Sequence, residues 1–568
     1  MAETRKPDGA RTPSREEVAK RDLGHTRIRP AVAWFLTLFF LAVIYGVPLI
    51  QIGVEWANDS GQVPSPLAVG TVAKAAAQGW NEEDGLTLQR IMKANAATLR
   101  AIDLYEDTVE DRSFLTKTLL GPVQLALTSL FNLGNEQAYL GRNGWMFFRS
   151  DVDHLTAPGF LSPAWLEMRL AAGNEYREPP QPDPRKAIVQ FHQQLAATGR
   201  KLIIVPTPVK PALEGDALAF SLSGAELPLR NVSFNEFVEA MRRAGVEVFD
   251  PAPLLARQQI EMAAPVYLRT DTHWTFKGMQ GVARALATFL DASLPNGPVP
   301  GAVKEVTHLG DIAQMLRLPE GQQVILPETQ TVEIPESRPN SEQPAILLLG
   351  DSFTNIYSME ALGWGANAGL GEQLEAMTQR EVRKIAINAG GAHAARRELV
   401  RRLLRGDNPL AGVDTVIWQF ANRELSQGDW QLMELPEPAK PEKSEPLAEV
   451  ETTRIATATV KDRTLAPAPG SVPYPDCLVS LHLTEVESSS DNALPEEILV
   501  FIWGLRDGEQ VNQSIAPGDR VRLEIRPWDQ VEEELGSLNR EELLTEAAFV
   551  LDLFWAGKVE SIDSSAAP

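Results

Sequence analysis

One uninterrupted apolar stretch near the N-terminus constrains this chain more than any other feature of its sequence. Ala31–Val54 contains no charged side chain, and the first charge after it is Glu55. As a helix this stretch reaches about 36 Å, enough to cross a hydrocarbon core of about 30 Å. Basic residues before it orient the N-terminus inward and everything after it outward. We therefore expect a cytoplasmic basic tail at 1–30 and a single-pass transmembrane anchor at 31–54, with a buried core helix as the alternative.

Composition and charge exclude several classes of protein. The chain has 53 Lys and Arg against 76 Asp and Glu, a formal net charge of −23, so most of its surface would repel a nucleic acid. Its one cysteine, Cys477, excludes an intrachain disulfide framework and a cysteine-rich zinc site. The seven histidines show no HExxH or paired spacing, so no metal site is expected.

The sequence pattern after the predicted anchor indicates two successive regions. Residues 55–135 carry apolar side chains at spacings of three and four, which predicts a helical stalk or hairpin. Over 136–435, helix-like segments alternate with short apolar runs such as KLIIVPTP and AILLLGDSF. This alternation predicts an α/β fold, a doubly wound and mostly parallel sheet with helices on both faces. Functional residues of such sheets gather at the carboxyl ends of the strands.

The C-terminal part of the chain has a different sequence pattern. Residues 436–449 are rich in Pro and Glu and lack apolar periodicity, which is typical of a linker. Over 450–568, the segments CLVSLHLTEV, EILVFIWGL and DRVRLEIRPW alternate and are separated by turn residues. They predict a small antiparallel β domain, either a barrel or a sandwich.

Two short motifs carry candidate chemistry. In DTHWT, the carboxylate of Asp271 can accept from one ring nitrogen of His273 and leave the other nitrogen as a general base. In GDSF, Ser352 follows a buried-strand run at a tight turn, where its hydroxyl is presented and backbone N–H groups can hold an oxyanion. Together they supply acyl transfer: Ser352 attacks, His273 removes its proton and Asp271 orients the imidazole.

Each motif alone also has a purely structural explanation. Gly-Asp-Ser after a strand is often a turn in which the aspartate, here Asp351, caps a helix. DTHW also fits a helix N-cap formed by Asp271 or Thr272, beside a packed histidine and tryptophan. The residues by themselves leave the catalytic and the structural interpretations open.

Five segments in a fixed order resemble one enzyme family. GRNGWMFF, PTPVKP, YLRTDTHWTFKG, LLLGDSF and IWQFANREL, spread over Gly141–Leu425, resemble the alginate O-acetyltransferase family of the AlgJ/AlgX type. The resemblance implies an extracytoplasmic enzyme with an SGNH-hydrolase-like fold. Ordinary SGNH hydrolases place the serine first, whereas Asp271 and His273 here precede Ser352, which is the permuted order of the acetyltransferases. The resemblance implies that these three residues are the catalytic triad.

Four further residues are candidates for substrate or oxyanion contacts. Asn388 follows a strand-like run as an oxyanion donor would, or serves as a turn residue. Arg423 matches a family arginine, and it either positions a sugar or pairs with a carboxylate. Lys210 has the same two alternatives. Trp274 is either a platform on which a sugar stacks or packing that fixes the loop of His273.

The resemblance also implies what the protein acts on and where. It implies transfer of acetyl to hydroxyls of an alginate-like exopolysaccharide through an acyl-enzyme on Ser352. No acetyl-CoA motif is present and no cofactor is expected, because a multispanning membrane acyltransferase partner would pass acetyl across the bilayer. The protein is expected in the cell inner membrane with its catalytic domain in the periplasm. A carbohydrate acetylesterase with the same triad and a non-catalytic scaffold of a polysaccharide export complex remain open.

Overall fold

The computed structural model divides the chain into two compact units, Met1–Lys117 and Thr118–Pro568. The structure describes residues 29–58, 63–81, 87–172, 180–224, 228–294, 301–438, 453–467, 472, 474, 476–488, 494–513, 515–543 and 551–562. The predicted cytoplasmic tail up to residue 28 and the predicted linker from residue 439 onward lie outside these residues.

The described part of the N-terminal unit is helical. Its helices are α1 (Pro30–Asn58), α2 (Gly70–Asn81), α3 (Thr87–Arg112) and the first residues of α4 (Phe114–Phe131). The apolar run of the sequence lies in α1, and nearly all of its apolar side chains are exposed. Among the described helices, α1 and α4 are the two with at least 18 residues and the apolar composition of membrane helices; α1 has 29 residues and α4 has 18.

A parallel sheet forms the centre of the second unit. Its five strands are β3 (Lys201–Thr207), β4 (Glu247–Val248), β7 (Ala345–Gly350), β8 (Val382–Ala386) and β9 (Val413–Ala421). They lie side by side in the order β4, β3, β9, β7, β8, and every neighbouring pair is parallel. The predicted parallel α/β sheet is therefore confirmed.

Helices cover both faces of this sheet. The helices of the α/β domain are α5 (Arg149–Thr156), α6 (Pro163–Leu170), α7 (Pro184–Ala197), α8 (Gly215–Leu218), α9 (Phe234–Arg243), α10 (Ala252–Met262), α11 (Phe276–Leu290), α12 (Asp311–Met315), α13 (Ser352–Asn355), α14 (Leu370–Thr378), α15 (Gly391–Leu404) and α16 (Glu424–Gln427). Along β7, Leu347 and Leu349 pack with residues of α7, α9 and α15. Ile346 and Leu348 pack instead with residues of α10, α11 and α14. Successive side chains of a strand point to opposite faces, and helices cover both faces here. The run AILLL is therefore apolar throughout.

Two antiparallel hairpins lie outside the parallel sheet. The first joins β1 (Ala138–Leu140) to β2 (Met146–Phe148), and the second joins β5 (Gly301–His308) to β6 (Glu328–Pro335). The second hairpin follows α11 and contains α12 in its connection. It lies along the chain between the two chemical motifs of the sequence, and we call it the inserted hairpin.

The C-terminal domain is a small β barrel. Its elements are β10 (Arg454–Arg463), β11 (Cys477–Ser488), β12 (Ile498–Arg506), β13 (Glu509–Gln510), β14 (Arg520–Pro527), α17 (Glu532–Leu535), β15 (Asn539–Glu541) and β16 (Leu553–Ser561). Strands β10, β11, β12, β16 and β14 pair in a closed ring. Most pairs are antiparallel, as predicted, whereas the pairs β12–β16 and β11–β15 are parallel.

Buried charges join helix α15 of the α/β domain to the barrel. The Glu398 carboxylate lies 2.6 Å from Arg401 and 3.2 Å from Arg540 of β15. Glu542, which follows β15, pairs with Arg401 and lies 3.3 Å from Arg397. All five side chains are at least 94% buried. Removing one partner from such a network leaves an uncompensated buried charge, so the barrel is strongly bound to α15.

Candidate active site

Ser352 lies on a sharp turn between strand β7 and helix α13. Asp351 caps this helix, because its side chain accepts a hydrogen bond of 2.9 Å from the backbone N–H of Phe353. The other oxygen of Asp351 accepts from the backbone N–H of Ala421 at 3.0 Å, which ties the turn to the end of β9. A Cβ at Gly350 would overlap the side chain of Thr354, so only glycine fits at the start of this turn. The capping role that the sequence analysis considered for Asp351 is therefore real, and it positions the serine at the carboxyl end of the sheet.

The loop before helix α11 brings Asp271 and His273 to the same place. His273 Nε2 lies 2.7 Å from Ser352 Oγ, and His273 Nδ1 lies 2.7 Å from Asp271 Oδ1. Because an ionised carboxylate only accepts hydrogen bonds, Nδ1 carries the proton and Nε2 can accept from the serine hydroxyl. A nucleophile, a base and an orienting carboxylate are thus connected in one hydrogen-bonded chain.

Asp271 has four donors for its carboxylate. Besides the Nδ1 contact, Oδ1 accepts the backbone N–H of His273 at 3.0 Å. Its Oδ2 accepts from Trp364 Nε1 at 2.8 Å and from the backbone N–H of Asp311 at 3.1 Å. All four acceptor positions of this carboxylate are therefore occupied, which holds the carboxylate and the imidazole in one orientation.

The inserted hairpin holds this loop with two more carboxylates. Asp311 accepts from both the backbone N–H and the hydroxyl of Thr272, each at 2.7 Å. Glu328, the first residue of β6, accepts from the backbone N–H groups of Arg269 at 3.1 Å and of Thr270 at 2.8 Å. Neither carboxylate was predicted from the sequence, because neither belongs to a local motif.

Burial and charge set the protonation of the site. Burial opposes ionisation of Asp271, but the hydrogen bond and charge of His273 outweigh it and hold the pKa of that carboxyl well below its usual range. Burial likewise disfavours the charged form of His273, yet the hydrogen bond and charge of Asp271 raise the pKa of the imidazole. Burial and the nearby Asp271 charge raise the pKa of Asp311 to about 6. The site is therefore arranged to stabilise an imidazolium when His273 accepts a proton.

A cation could in principle use the same three side chains. Ligand atoms of Asp271, His273 and Asp311 all lie within 4.8 Å of one another. Hydrogen-bond donors of the protein already fill the acceptor positions of Asp271, and both Asp311 oxygens accept from Thr272. Internal hydrogen bonds therefore account for the cluster, and we propose no metal there.

Lys210 lies beneath this loop and not in the substrate space. Its side chain is fully buried, and Nζ donates to the carbonyl oxygens of Arg269 and Asp271, each at 2.9 Å. The ammonium also lies 5.4 Å from the ring centre of Trp145 and 5.2 Å from that of Phe147. Of the two alternatives for Lys210, the sugar contact is wrong because the side chain is fully buried, and in place of the predicted ion pair the ammonium binds two backbone carbonyls of the loop.

Trp274 also packs inside the protein. It is fully buried and meets the Phe353 ring edge to face, with ring centres 5.3 Å apart. No face of the indole remains for a sugar ring, so the stacking alternative is wrong and the packing alternative holds.

Arg423 pairs with a carboxylate that the sequence analysis did not single out. Its Nη1 donates to Asp151 at 2.9 Å, and Asp151 is completely buried. Burial raises the pKa of Asp151, and the Arg423 charge opposes that rise. The guanidinium also lies 5.9 Å from the ring centre of Phe353, the residue after Ser352. Of the two alternatives for Arg423, the structure contains the ion pair, and a contact with substrate stays a prediction.

Asn388 lies beside the helix that begins at Ser352. Its Oδ1 accepts a hydrogen bond of 2.9 Å from Asn355, the last residue of that helix. Its Nδ2 meets Met359 Sδ at 3.7 Å, and sulfur is a weak acceptor. The backbone N–H of Asn388 donates to the carbonyl of Ser537 in the barrel domain at 3.0 Å. The amide group therefore has a donor that a stronger acceptor could take.

Comparisons with known proteins identify the domain that contains this site. Residues 138–422 match the family model described as "SGNH hydrolase-like domain, acetyltransferase AlgX". The "Probable alginate O-acetylase AlgJ" of Pseudomonas putida is 27% identical over 260 residues, which is 44% of this chain and 58% of that protein. The protein of the same name from Pseudomonas aeruginosa is 26% identical over 216 residues, 37% of this chain and 48% of its own length. The chain thus spans about half the length of the curated relatives it matches.

A solved structure is also similar to part of this chain. It is described as "O-Acetyltransferase Domain of Pseudomonas putida AlgJ" and covers 51% of this chain and 92% of its own, at 22% identity and a TM-score of 0.37. The assignment of the domain therefore depends on the family match and on the parallel sheet described above.

Proposed function

Because the chain belongs to the family of SGNH-hydrolase-like AlgX acetyltransferase domains, we propose that it is an O-acetyltransferase acting on a polysaccharide. The observation that carries this proposal is the chain of contacts from Ser352 Oγ through His273 to Asp271, with 2.7 Å at each step. That geometry supports a serine nucleophile with its base already in hydrogen-bonding reach.

The reaction proceeds in two acyl transfers. Ser352 Oγ attacks the acetyl carbonyl carbon of the donor while His273 Nε2 takes the hydroxyl proton. The donor's bond to acetyl breaks, and His273 returns the proton to the leaving group, which leaves acetyl on Ser352. A sugar hydroxyl then attacks this ester and gives its proton to His273, which passes the proton to Ser352 Oγ as that bond breaks.

Two features support stabilisation of the charges that form. Asp271 remains ionised beside His273 and stabilises the imidazolium of each step. Asn388 Nδ2 and the backbone N–H of Ser352 are the proposed donors to the oxyanion. The weak contact of Asn388 with Met359 is exchanged for one with the developing charge.

The acceptor is proposed to be an alginate-like exopolysaccharide. Relatives of this chain are named alginate O-acetylases, which makes a polyuronate the first acceptor to test. The chain's net charge of −23 would repel such a polymer over most of the surface, so contacts near Ser352 have to supply the attraction. Arg423 is the proposed cationic group at that place.

The protein is proposed to work outside the cytoplasm, held at the inner membrane by α1. The length and hydropathy of α1 support a single-pass anchor. A membrane-bound acyltransferase would supply the acetyl group, and anchoring both proteins in one bilayer raises their effective concentration. No cofactor takes part in this scheme.

Transfer is distinguished from hydrolysis by following the acetyl group. The full-length chain in detergent is incubated with an activated acetyl ester and either polymannuronate or a neutral glucan, and polymer-bound acetyl and free acetate are measured. The proposal predicts polymer acetylation that Ser352→Ala abolishes and that the matched change at an exposed serine, Ser293→Ala, leaves intact. Acetate release without polymer acetylation would instead identify an esterase, and unchanged transfer by Ser352→Ala would remove the serine mechanism.

A further inference from the structure

Helix α4 (Phe114–Phe131) buries two polar side chains and exposes a row of apolar ones, unlike a typical helix of a soluble domain. Gln124 and Thr128 are 6% exposed, whereas apolar side chains point outward. The exposed apolar face consists of Leu115, Leu119, Val123 and Leu130, with exposed fractions of 37%, 46%, 51% and 74%. Their spacing of four, four and seven residues places them along one side of the helix.

The two buried polar side chains of α4, Gln124 and Thr128, have hydrogen-bond partners inside the protein. Gln124 Nε2 donates to the carbonyl oxygens of Leu133 at 3.2 Å and Gly134 at 3.1 Å. The hydroxyl of Ser129 donates back to the carbonyl of Leu125 at 2.6 Å. Lys117 is the only charged residue of the helix. The outer face of α4 therefore exposes mainly hydrocarbon to water. The surface of a soluble domain rarely carries such an apolar patch.

The beginning of α4 is joined to α1 near the end of its apolar run. Gln51 in α1 accepts from the backbone N–H of Phe114 at 2.8 Å and donates to the carbonyl of Arg112 at 2.7 Å. The side chain of Gln51 is 4% exposed, so this junction is enclosed. Because Gln51 lies three residues before Val54, the first turn of α4 lies where α1 leaves the apolar stretch.

We propose that α4 lies in the surface of the phospholipid bilayer that α1 spans, with its Leu115–Leu130 face among the lipid chains. This inference rests on the proposed anchoring by α1 and adds a second membrane contact. The junction at Gln51 favours lipid over a protein partner, because it starts α4 at the level of the bilayer boundary. Amphipathic helices of this kind place their apolar face about 5–10 Å into the headgroup and acyl boundary.

Two features favour a helix that lies on the bilayer over one that crosses it. At about 1.5 Å per residue, the 18 residues of α4 reach about 27 Å, short of a hydrocarbon core of about 30 Å. Gln124 and Thr128 also pack against the turn that follows the helix, which keeps one side of α4 on protein. A helix with one side covered by protein and one exposed apolar side fits the interface between the bilayer and water.

Spin labels on the full-length chain test this arrangement. Single cysteines replace Phe39 in α1, Val123 in α4 and Val232 in the α/β domain, where exposed fractions are 59%, 51% and 83%. The native Cys477 is fully buried and escapes labelling. The protein is reconstituted in phosphatidylcholine–phosphatidylglycerol vesicles, and the accessibility of each label to oxygen and to a water-soluble nickel chelate is measured.

The expected result is a graded pattern. The Phe39→Cys label reports the bilayer interior, the Val123→Cys label a shallow lipid depth, and the Val232→Cys label water. A Val123 label that is as open to nickel as Val232, while Phe39 reports lipid, overturns the inference and leaves the anchor intact. A Val123 label as deep as Phe39 shows a crossing helix, and spin–spin broadening without lipid contact shows a second copy. A crossing helix and a contact with a second copy would each contradict the proposed position of α4 at the bilayer surface. A Phe39→Cys label that reports water would contradict the proposed anchoring by α1.

Discussion

The ammonium of Lys210 lies 2.9 Å from the carbonyl oxygen of Asp271, inside the protein and directly under the loop that carries His273. It donates at the same distance to the carbonyl of Arg269. From the other side, Asp311 and Glu328 accept the backbone N–H groups of Thr272, Arg269 and Thr270. The loop of the proposed triad is therefore held by a buried cation at its carbonyls and by carboxylates at its amides.

Replacing this cation with an apolar side chain of similar length should loosen the loop. Lys210→Met leaves two buried carbonyls without their donor, at roughly 1–3 kcal/mol for each, so we expect a free energy of unfolding lower by about 2–6 kcal/mol. Acetyl transfer should fall more than the stability loss explains, since the geometry of Asp271 and His273 changes. Urea denaturation and initial rates below the unfolding transition measure both effects.

The matched control for that variant is Lys201→Met. Lys201 forms a half-exposed ion pair with Glu247, which is worth under about 1 kcal/mol. A Lys210→Met protein with the stability and rate of Lys201→Met would show that the buried cation does not position the loop.

The dependence of acylation on pH should report His273. The imidazole must be neutral to accept the proton of Ser352, and Asp271 raises its pKa above the ordinary value. The acid limb of kcat/KM is therefore expected above pH 6.5, with the rate falling as pH decreases through it. Asp271→Asn should shift this limb to lower pH and reduce kcat by about 10⁴-fold. An unchanged limb in Asp271→Asn would assign the titration to another group.

Asn388 should matter to the rate and little to binding. If its amide donates to the oxyanion, Asn388→Ala lowers kcat by about 10²–10³-fold with a nearly constant KM. The exposed Asn340→Ala is the control and should leave both constants unchanged. If Asn388→Ala lowers kcat/KM by the same factor through a higher KM, with kcat unchanged, Asn388 belongs to the acceptor site instead.

The buried charges between α15 and the barrel should dominate the stability of that interface. Glu542→Gln removes the carboxylate shared by Arg397 and Arg401, and we expect a loss of about 3–5 kcal/mol. Glu560→Gln removes an exposed partner of Lys558 and should leave the denaturation midpoint nearly unchanged, because solvent screens such a pair. Guanidinium denaturation of the full chain compares them, and equal midpoints would contradict the importance of the network.

The sequence predicted the parts of the fold that depend on local pattern. The apolar run AILLL predicts a strand buried on both faces, and in the structure it forms β7, an internal strand of the parallel sheet between β9 and β8. The alternating segments after residue 450 predicted the strands of the C-terminal domain, with a barrel and a sandwich as the two alternatives. The parallel pairing of β12 with β16 was not predicted, because pairing direction depends on the path of the chain and not on the alternation within a strand.

The site was predictable only where its residues stand in short motifs. Asp271, His273 and Ser352 stand in strings whose chemistry is recognisable, and the structure brings their side chains together. Lys210 was misjudged, because its acceptors are backbone carbonyls 59 and 61 residues away. Asp311, 39 residues beyond Thr272, contacts the loop only through the folding of the inserted hairpin.

The account depends on an acetyl group passing through Ser352, and mass spectrometry of the intact chain tests this most directly. The full-length protein is mixed with an activated acetyl ester without acceptor, quenched in acid and digested. We predict one added acetyl group on the peptide containing Ser352, which disappears in Ser352→Ala and when a polysaccharide acceptor is supplied before quenching. Polymer acetylation that proceeds while no acetyl is ever found on Ser352 would contradict the account.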